Sequence, residues 1–215
     1  MAVNDESPNR LSRTRIIDSA VGLADAGGLD AVSMRNIGGA LGVTAMSLYN
    51  HVANKDEILD GMLDAVFAQI DLPEISDWKA AIRASAISAR QTLMSHPWAT
   101  SLWMARRGGG PSQLRYGDWL LGMLRKGRLS DEVVFHAYHI LESLLIGSTL
   151  QQLNFPYQGE ELADLAQAYL RSFPVDEYPD MVDHIHQHLD SSAVRRPGFE
   201  FALDLILDGL DRVDS

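Results

Sequence analysis

The chain has 215 residues, 46% of them hydrophobic and 22% charged, enough to bury a substantial core in one or two folded units. It contains no cysteine, which excludes disulfides, thiol chemistry and thiolate metal sites. A formal net charge of -11 excludes a generally basic surface, so a polyanionic partner would have to be met by a local group of cations.

Residues 1–10 are polar and read as a disordered N-terminus without the basic start and apolar centre of a signal peptide. No apolar run reaches the ~18 residues of a membrane span. The expectation is a soluble, cytoplasmic protein with no membrane partner. From Ser12, the residues Ile16, Ile17, Ala20, Val21, Leu23 and Ala24 form the apolar stripe of a first helix, which Gly27 and Gly28 end. Leu29 and Val32 lead into the next.

Residues 33–55 read as two short helices around a tight turn, a helix-turn-helix. Ser33 suits an N-cap, and Ile37, Ala40 and Leu41 give one apolar face. Gly42 suits a left-handed turn, with Val43 plugging the core after it. Thr44 caps a third helix that the spacing runs from Ala45 to Val52. Leu48 and Val52 then face inward, and Ala45, Met46, Ser47, Tyr49 and Asn50 face out, a small and mostly uncharged surface able to approach base edges. Tyr49 and His51 could be core aromatics, but this phase puts them on the phosphate side. Cations stand at the expected edge: Arg10, Arg13, Arg15, Arg35 and Lys55. Residues 55–70 form a fourth helix whose stripe of Ile58, Leu59, Met62, Leu63, Val66, Phe67 and Ile70 is wide enough to pack on two bodies, and Pro73 closes it.

The run Leu-Gly-Val-Thr-Ala-Met-Ser-Leu-Tyr-Asn-His-Val, followed by Asn54, Lys55, Asp56, Glu57, Ile58 and Leu59, resembles the DNA-binding domain of the tetracycline-repressor (TetR) family of bacterial transcription regulators. The match is dense over residues 11–70 and diffuse beyond. It implies an all-α protein with a helix-turn-helix DNA-binding domain at 11–54, a connecting helix at 55–70, and a helical ligand-binding and dimerisation domain at 71–215. It also implies base-facing positions for Thr44, Ala45, Met46 and Ser47, phosphate-facing ones for Tyr49 and Lys55, and a groove contact for Arg35. The implied partners are an operator in double-stranded DNA, a small-molecule effector and a second copy of the chain.

The rest of the sequence reads as helices only: about 77–95, stopped by His96-Pro97; a short segment at 98–105; 112–125; 131–153, capped by Ser130; a weaker one at 159–172; 178–189; and 199–213. The loop Arg106-Arg107-Gly108-Gly109-Gly110-Pro111 follows no strand and lacks phosphate-loop spacing. Arg195-Arg196-Pro197-Gly198 reads as the last break. The helices at 131–153 and 199–213 are too apolar for a monomer's surface, and small residues such as Ser143, Gly147, Ser148 and Gly209 permit close approach; they are the candidate dimer interface, or alternatively monomer core.

An effector pocket is sought among Trp98, Trp103, Met104, Trp119, Met123, Tyr138 and Leu144, which are more aromatic and adaptable than a closed core needs, with His136, His139, Ser143 and Gln151 as polar contacts. That composition suits a largely apolar effector. Set against the tetracycline-binding branch, Trp103 falls where the resemblance implies a metal-binding histidine, so a magnesium chelate of tetracycline is not expected, and neither cofactor nor metal is assigned. His184, His186 and His188 read as a solvated face, with a divalent-ion site as the alternative. The function expected is a ligand-responsive repressor. An activator, a corepressor-dependent regulator, or a helical carrier or enzyme remain alternatives, though no nucleophile, metal set or cofactor loop favours the enzyme.

Overall fold

The computed structural model describes residues 10–106, 109–157, 159–189 and 197–213, with the side chains of His188, Leu189 and Asp211 excepted. The expectations for residues 1–9, for Arg107 and Gly108 and for the break at Arg195 and Arg196 lie outside these residues. Among the described residues there is no strand. The helices are α1 (Arg13–Gly27), α2 (Met34–Leu41), α3 (Ala45–Leu48), α4 (Lys55–Phe67), α5 (Trp78–Ser95), α6 (Ala99–Ala105), α7 (Pro111–Lys126), α8 (Asp131–Asn154), α9 (Gly159–Leu170), α10 (Pro179–Leu189) and α11 (Gly198–Val213).

Each early helix starts where a side chain can satisfy its orphan amides. Ser12 accepts from Arg15 N, Ser33 from Asn36 N, Thr44 from Ser47 N and Asn54 from Glu57 N. Gly42 ends α2 at φ 69°, a left-handed turn that a side chain would strain. Gly38 is there for a different reason. A Cβ on it would lie 2.9 Å from the Val43 carbonyl oxygen and 3.2 Å from Ala45 N, so the turn closes on bare backbone.

Ile16, Ile17, Ala20 and Ala24 of α1, Val32, Ile37, Leu48 and Val52 are all buried and pack with Ile58 and Met62 of α4. Helix α3 is shorter than the apolar spacing implies. It ends at Leu48, and His51 N bonds Leu48 O at 2.9 Å in a tightened turn that swings Val52 into the core. Helix α4 likewise stops at Phe67, with Ile70 buried in the turn beyond it.

The opposite side of α4 is held by a row of carboxylates. Asp56 and Asp60 both bind Arg106, which follows α6, and Arg106 also donates to the Asp56 carbonyl at 3.1 Å. Asp64 caps α7, accepting from Ser112 N at 2.6 Å and from its hydroxyl at 3.2 Å. A second tie joins α1 to the body. Asp25 Oδ1 accepts from Trp98 Nε1 at 2.7 Å and lies 2.8 Å from His96 Nδ1, while His96 Nε2 meets the Gln69 amide.

Helices α5, α7, α8 and α11 make the body's core, from Ile82 and Ala89 through Leu120 and Leu124 to Leu141, Leu145, Leu203 and Leu207. Helices α9 and α10 pack chiefly on one another. By length and hydropathy α8 could cross a membrane, against the expectation that no segment would; here it lies against α5, α7 and α11.

Two substitutions test this packing. Gly38→Ala should destabilise the protein by about 1–3 kcal/mol from steric overlap, despite alanine's better helix propensity; a thermal melt no lower than wild type would refute the close approach. Asp25→Ala should cost about 1–3 kcal/mol, because it leaves the Trp98 N–H buried without an acceptor. Urea unfolding reads that loss, and Asp25→Asn, which keeps an acceptor, should recover part of it.

Candidate functional site

Arg35, Thr44, Met46, Tyr49, His51 and Lys55 are exposed and Ala45 and Ser47 half-exposed, on the side of α2 and α3 away from the core. Met46 is 74% exposed, a large apolar side chain presented to solvent at the head of the turn. Thr44 and Ser47 are tied together, Oγ1 to Oγ at 2.9 Å, so their hydroxyls act as one rigid polar edge rather than two free donors. The brevity of α3 puts Tyr49 and His51 on the turn after the helix rather than on it.

The cationic edge is narrower than the sequence implies. Arg13 donates to Glu57 Oε1 at 2.9 Å, so its charge joins α1 to the start of α4. The Ala53 N–H, bonded to Glu57 Oε2 at 2.7 Å, and then Arg13 hold the Glu57 carboxyl below its ordinary range. Arg35 and Lys55 are exposed on either side of α3, and near the start of α1 Arg10 is exposed and Arg15 half-exposed.

A second site opens in the body. A cleft of about 1550 Å³ lies between α5, α8, α9, α10 and α11. Its apolar wall includes Leu144, Phe155, Leu165 and Phe199; Tyr157, Tyr169, Ser148, Gln151 and Gln152 bring hydroxyls and amides, and Arg90 a charge. Next to it, sharing Leu144 and Phe199, a crevice of about 10 Å³ runs past Trp119 and the buried Ser85 hydroxyl.

Of the side chains singled out for a pocket, Gln151 and Leu144 line the cleft and Trp119 the crevice. The others are elsewhere. Trp98 is buried against Asp25, where its indole N–H has its acceptor. Trp103 stacks edge-on to Phe67 at 4.9 Å, and Met104 is exposed on α6. Met123 is buried in α7. Tyr138 donates to Glu142 at 2.9 Å, and partial burial, then Glu142, push its pKa up to about 12, so it stays a proton donor. Burial raises Tyr116 further still. His136, His139 and Ser143 lie on the outer face of α8 with Phe135 and Ile140, because residues spaced three and four apart share one side of a helix. That face continues on α11 with Phe201 and Leu205. A Cβ at Gly147 or Gly209 would touch nothing within 4 Å in this chain.

Sequence reasoning missed Arg90, Phe155, Tyr157, Tyr169 and Phe199, which come from four separate segments and carry no local motif. It also missed the aspartate row, although Asp56, Asp60 and Asp64 repeat every fourth residue. Among the described residues, no three His, Asp or Glu side chains are grouped to hold a metal ion.

Residues 16–62 match the description "Bacterial regulatory proteins, tetR family", and residues 72–213 match "Tetracyclin repressor-like, C-terminal domain". The HTH-type transcriptional repressor DrrR1 of Streptomyces coeruleorubidus is 31% identical, over 94% of this chain and 77% of that one. The class A tetracycline repressor from transposon 1721 of Escherichia coli is 26% identical, over 94% and 91%. Among solved structures, ActR of Streptomyces coelicolor in complex with actinorhodin superposes with a TM-score of 0.79 at 30% identity, over 95% of this chain and 97% of that one. The chain belongs to the TetR family: it is a DNA-binding transcriptional regulator rather than an enzyme, of a kind that acts as a dimer and answers to small molecules.

Proposed function

We propose that this regulator is a cytoplasmic repressor which leaves a palindromic operator when a small, largely apolar effector enters the cleft between α5, α8, α9 and α11. Residues 11–54 serve as the DNA-binding unit, 55–70 as the connecting helix and 71–215 as the effector-binding and dimerisation unit. The observation that carries this reading is the double attachment of α4. Its buried side packs on α1 through Ile58 and Met62, and its aspartates hold the chain at Arg106 and Ser112. A shift of α6 or α7 relative to α5 and α8 is therefore transmitted to the base of the reading turn. One solved relative fits: ActR is known in complex with actinorhodin and with (S)-DNPA.

The reading surface is Thr44, Ala45, Met46 and Ser47, with Tyr49, His51 and Lys55 toward phosphates and Arg35 reaching the groove from α2. Since few of these side chains make bidentate hydrogen bonds, apolar contact with thymine methyls takes a large share of the recognition. Two such surfaces must be held a fixed distance apart. The apolar outer faces of α8 and α11 supply that through a homodimer, since Phe135, Ile140, Phe201 and Leu205 are left exposed in the single chain.

Leu205, 65% exposed, is a clean test of the dimer. Leu205→Glu should yield a folded monomer by light scattering, with operator binding lost; an unchanged dimer would assign this face no role. At the reading surface, fluorescence anisotropy with the protein's own promoter DNA should show Tyr49→Ala and Lys55→Ala both weakening binding. Lys55→Ala should also lower the slope of log affinity against log salt by about one per subunit. If neither variant differs from wild type, the DNA-facing assignment fails.

A further inference from the structure

Helix α5 carries two arginines seven residues apart, two turns and about 10 Å along the same side. Their surroundings differ. Arg83 is neutralised by α11: its Nε donates to Asp204 Oδ1 at 2.7 Å and its Nη2 to Glu200 Oε2 at 2.6 Å. Arg90 faces the same helix where the neighbour is Phe199, with its guanidinium 5.2 Å from the ring centre. Its Nε is fully enclosed and makes no hydrogen bond.

Arg90 is the one charged residue among the described residues lining the cleft. Enclosing part of a guanidinium without a counter-ion is costly unless something else meets it. Around it the cleft offers flat aromatic surface from Phe155, Tyr169 and Phe199, and on the α8 side the amides of Gln151 and Gln152.

We propose that the cleft recognises a planar aromatic acid, with the ring system against these aromatic side chains and the carboxylate bonded to the Arg90 guanidinium. This rests on the reading of the cleft as the effector site. It adds the chemical class of the ligand and the residue that selects it. A carboxylate on Arg90 makes a charge-assisted hydrogen bond that an amide of the same shape cannot match. It would also tie α5 to the ligand at the point where α11 offers no partner.

The test titrates full-length protein with anthraquinone-2-carboxylate and with its carboxamide, following tryptophan fluorescence, for wild type, Arg90→Met and Arg90→Lys. Wild type should bind the acid at least about tenfold more tightly than the amide. Arg90→Met should lose that preference while keeping its affinity for the amide, and Arg90→Lys should retain part of it. Unchanged melting curves for the variants exclude unfolding as the cause. Equal binding of acid and amide by wild type, a preference that survives in Arg90→Met, or binding of neither compound would each overturn the proposal.

Release of promoter DNA is followed in the same titrations. Release by neutral aromatic compounds without any preference for the acid sinks the proposed selection by Arg90 and leaves the effector reading standing. Acid binding that depends on Arg90 but never affects DNA sinks the effector reading and leaves the anion site standing.

Discussion

The structure turns on one helix that has to satisfy two bodies. Helix α4 is only thirteen residues long, yet it is held by groups from α1, α6 and α7. Its apolar stripe closes the small core with α1, and Phe67 at its far end meets Trp103 and Tyr116. Gly61 marks the crossing: a Cβ there would come 2.2 Å from the tip of Ile17, so α1 and α4 meet backbone to side chain. On the third side the aspartates grip the segment between α6 and α7. Two of these contacts are at element ends rather than helix interiors, namely to Arg106, just past α6, and to Ser112, in the first turn of α7. Element ends are where small backbone changes are cheapest, which would suit the proposed transmission through α4.

Helix α8 faces a related problem, with three demands on one circumference. Val134, Ala137, Leu141 and Leu145 pack into the body, Leu144, Ser148 and Gln151 face the cleft, and Phe135 and Ile140 face out. A helix with the core on one side, the cleft on another and an apolar outer face cannot have a broad polar side. That is why α8 reaches a mean hydropathy of 1.3 over a membrane-length window although only 28% of that window is buried in the single chain. Hydropathy here measures how many surfaces the helix must present to other groups, not a bilayer.

What the sequence disclosed followed from that distinction. The stripes of α1 and α4, the caps at Ser33, Thr44 and Ser130, and the left-handed turn at Gly42 are local, and each was legible because it is set by residues within a turn or two of one another. The end of α3 was not, because the choice between continuing a helix and tightening it depends on Val52 finding a place in the core. For α8, with apolar residues on nearly all sides, the period could not say which side was interior, so His136, His139 and Ser143, expected in a pocket, stand on the outer face. Trp98 was expected in the pocket, but its indole N–H is taken by Asp25, 73 residues away, a pairing that no local pattern reveals. The cleft itself was the least legible feature, since its aromatic walls come from chain segments that share no motif.

Charge gives these parts a common logic. Residues 58–215 carry thirteen basic and twenty-two acidic side chains, so the body repels a phosphate backbone, while residues 1–57 are close to neutral with five against seven. Within that N-terminal part, Arg13 is taken up by Glu57, and Asp56 shares Arg106 with Asp60; the acidic groups nearest the reading turn are thereby largely paired inside the protein. In the proposed reading, Arg35 and Lys55, both exposed, would act on DNA at short range without a basic surface behind them. Because sequence-independent affinity grows with the number of phosphates neutralised, a chain with so few cations at its DNA-facing edge gains little from random DNA. In the proposed reading its affinity then has to come from placing two reading surfaces in register at once, and it is that register which a movement of α4 would disturb.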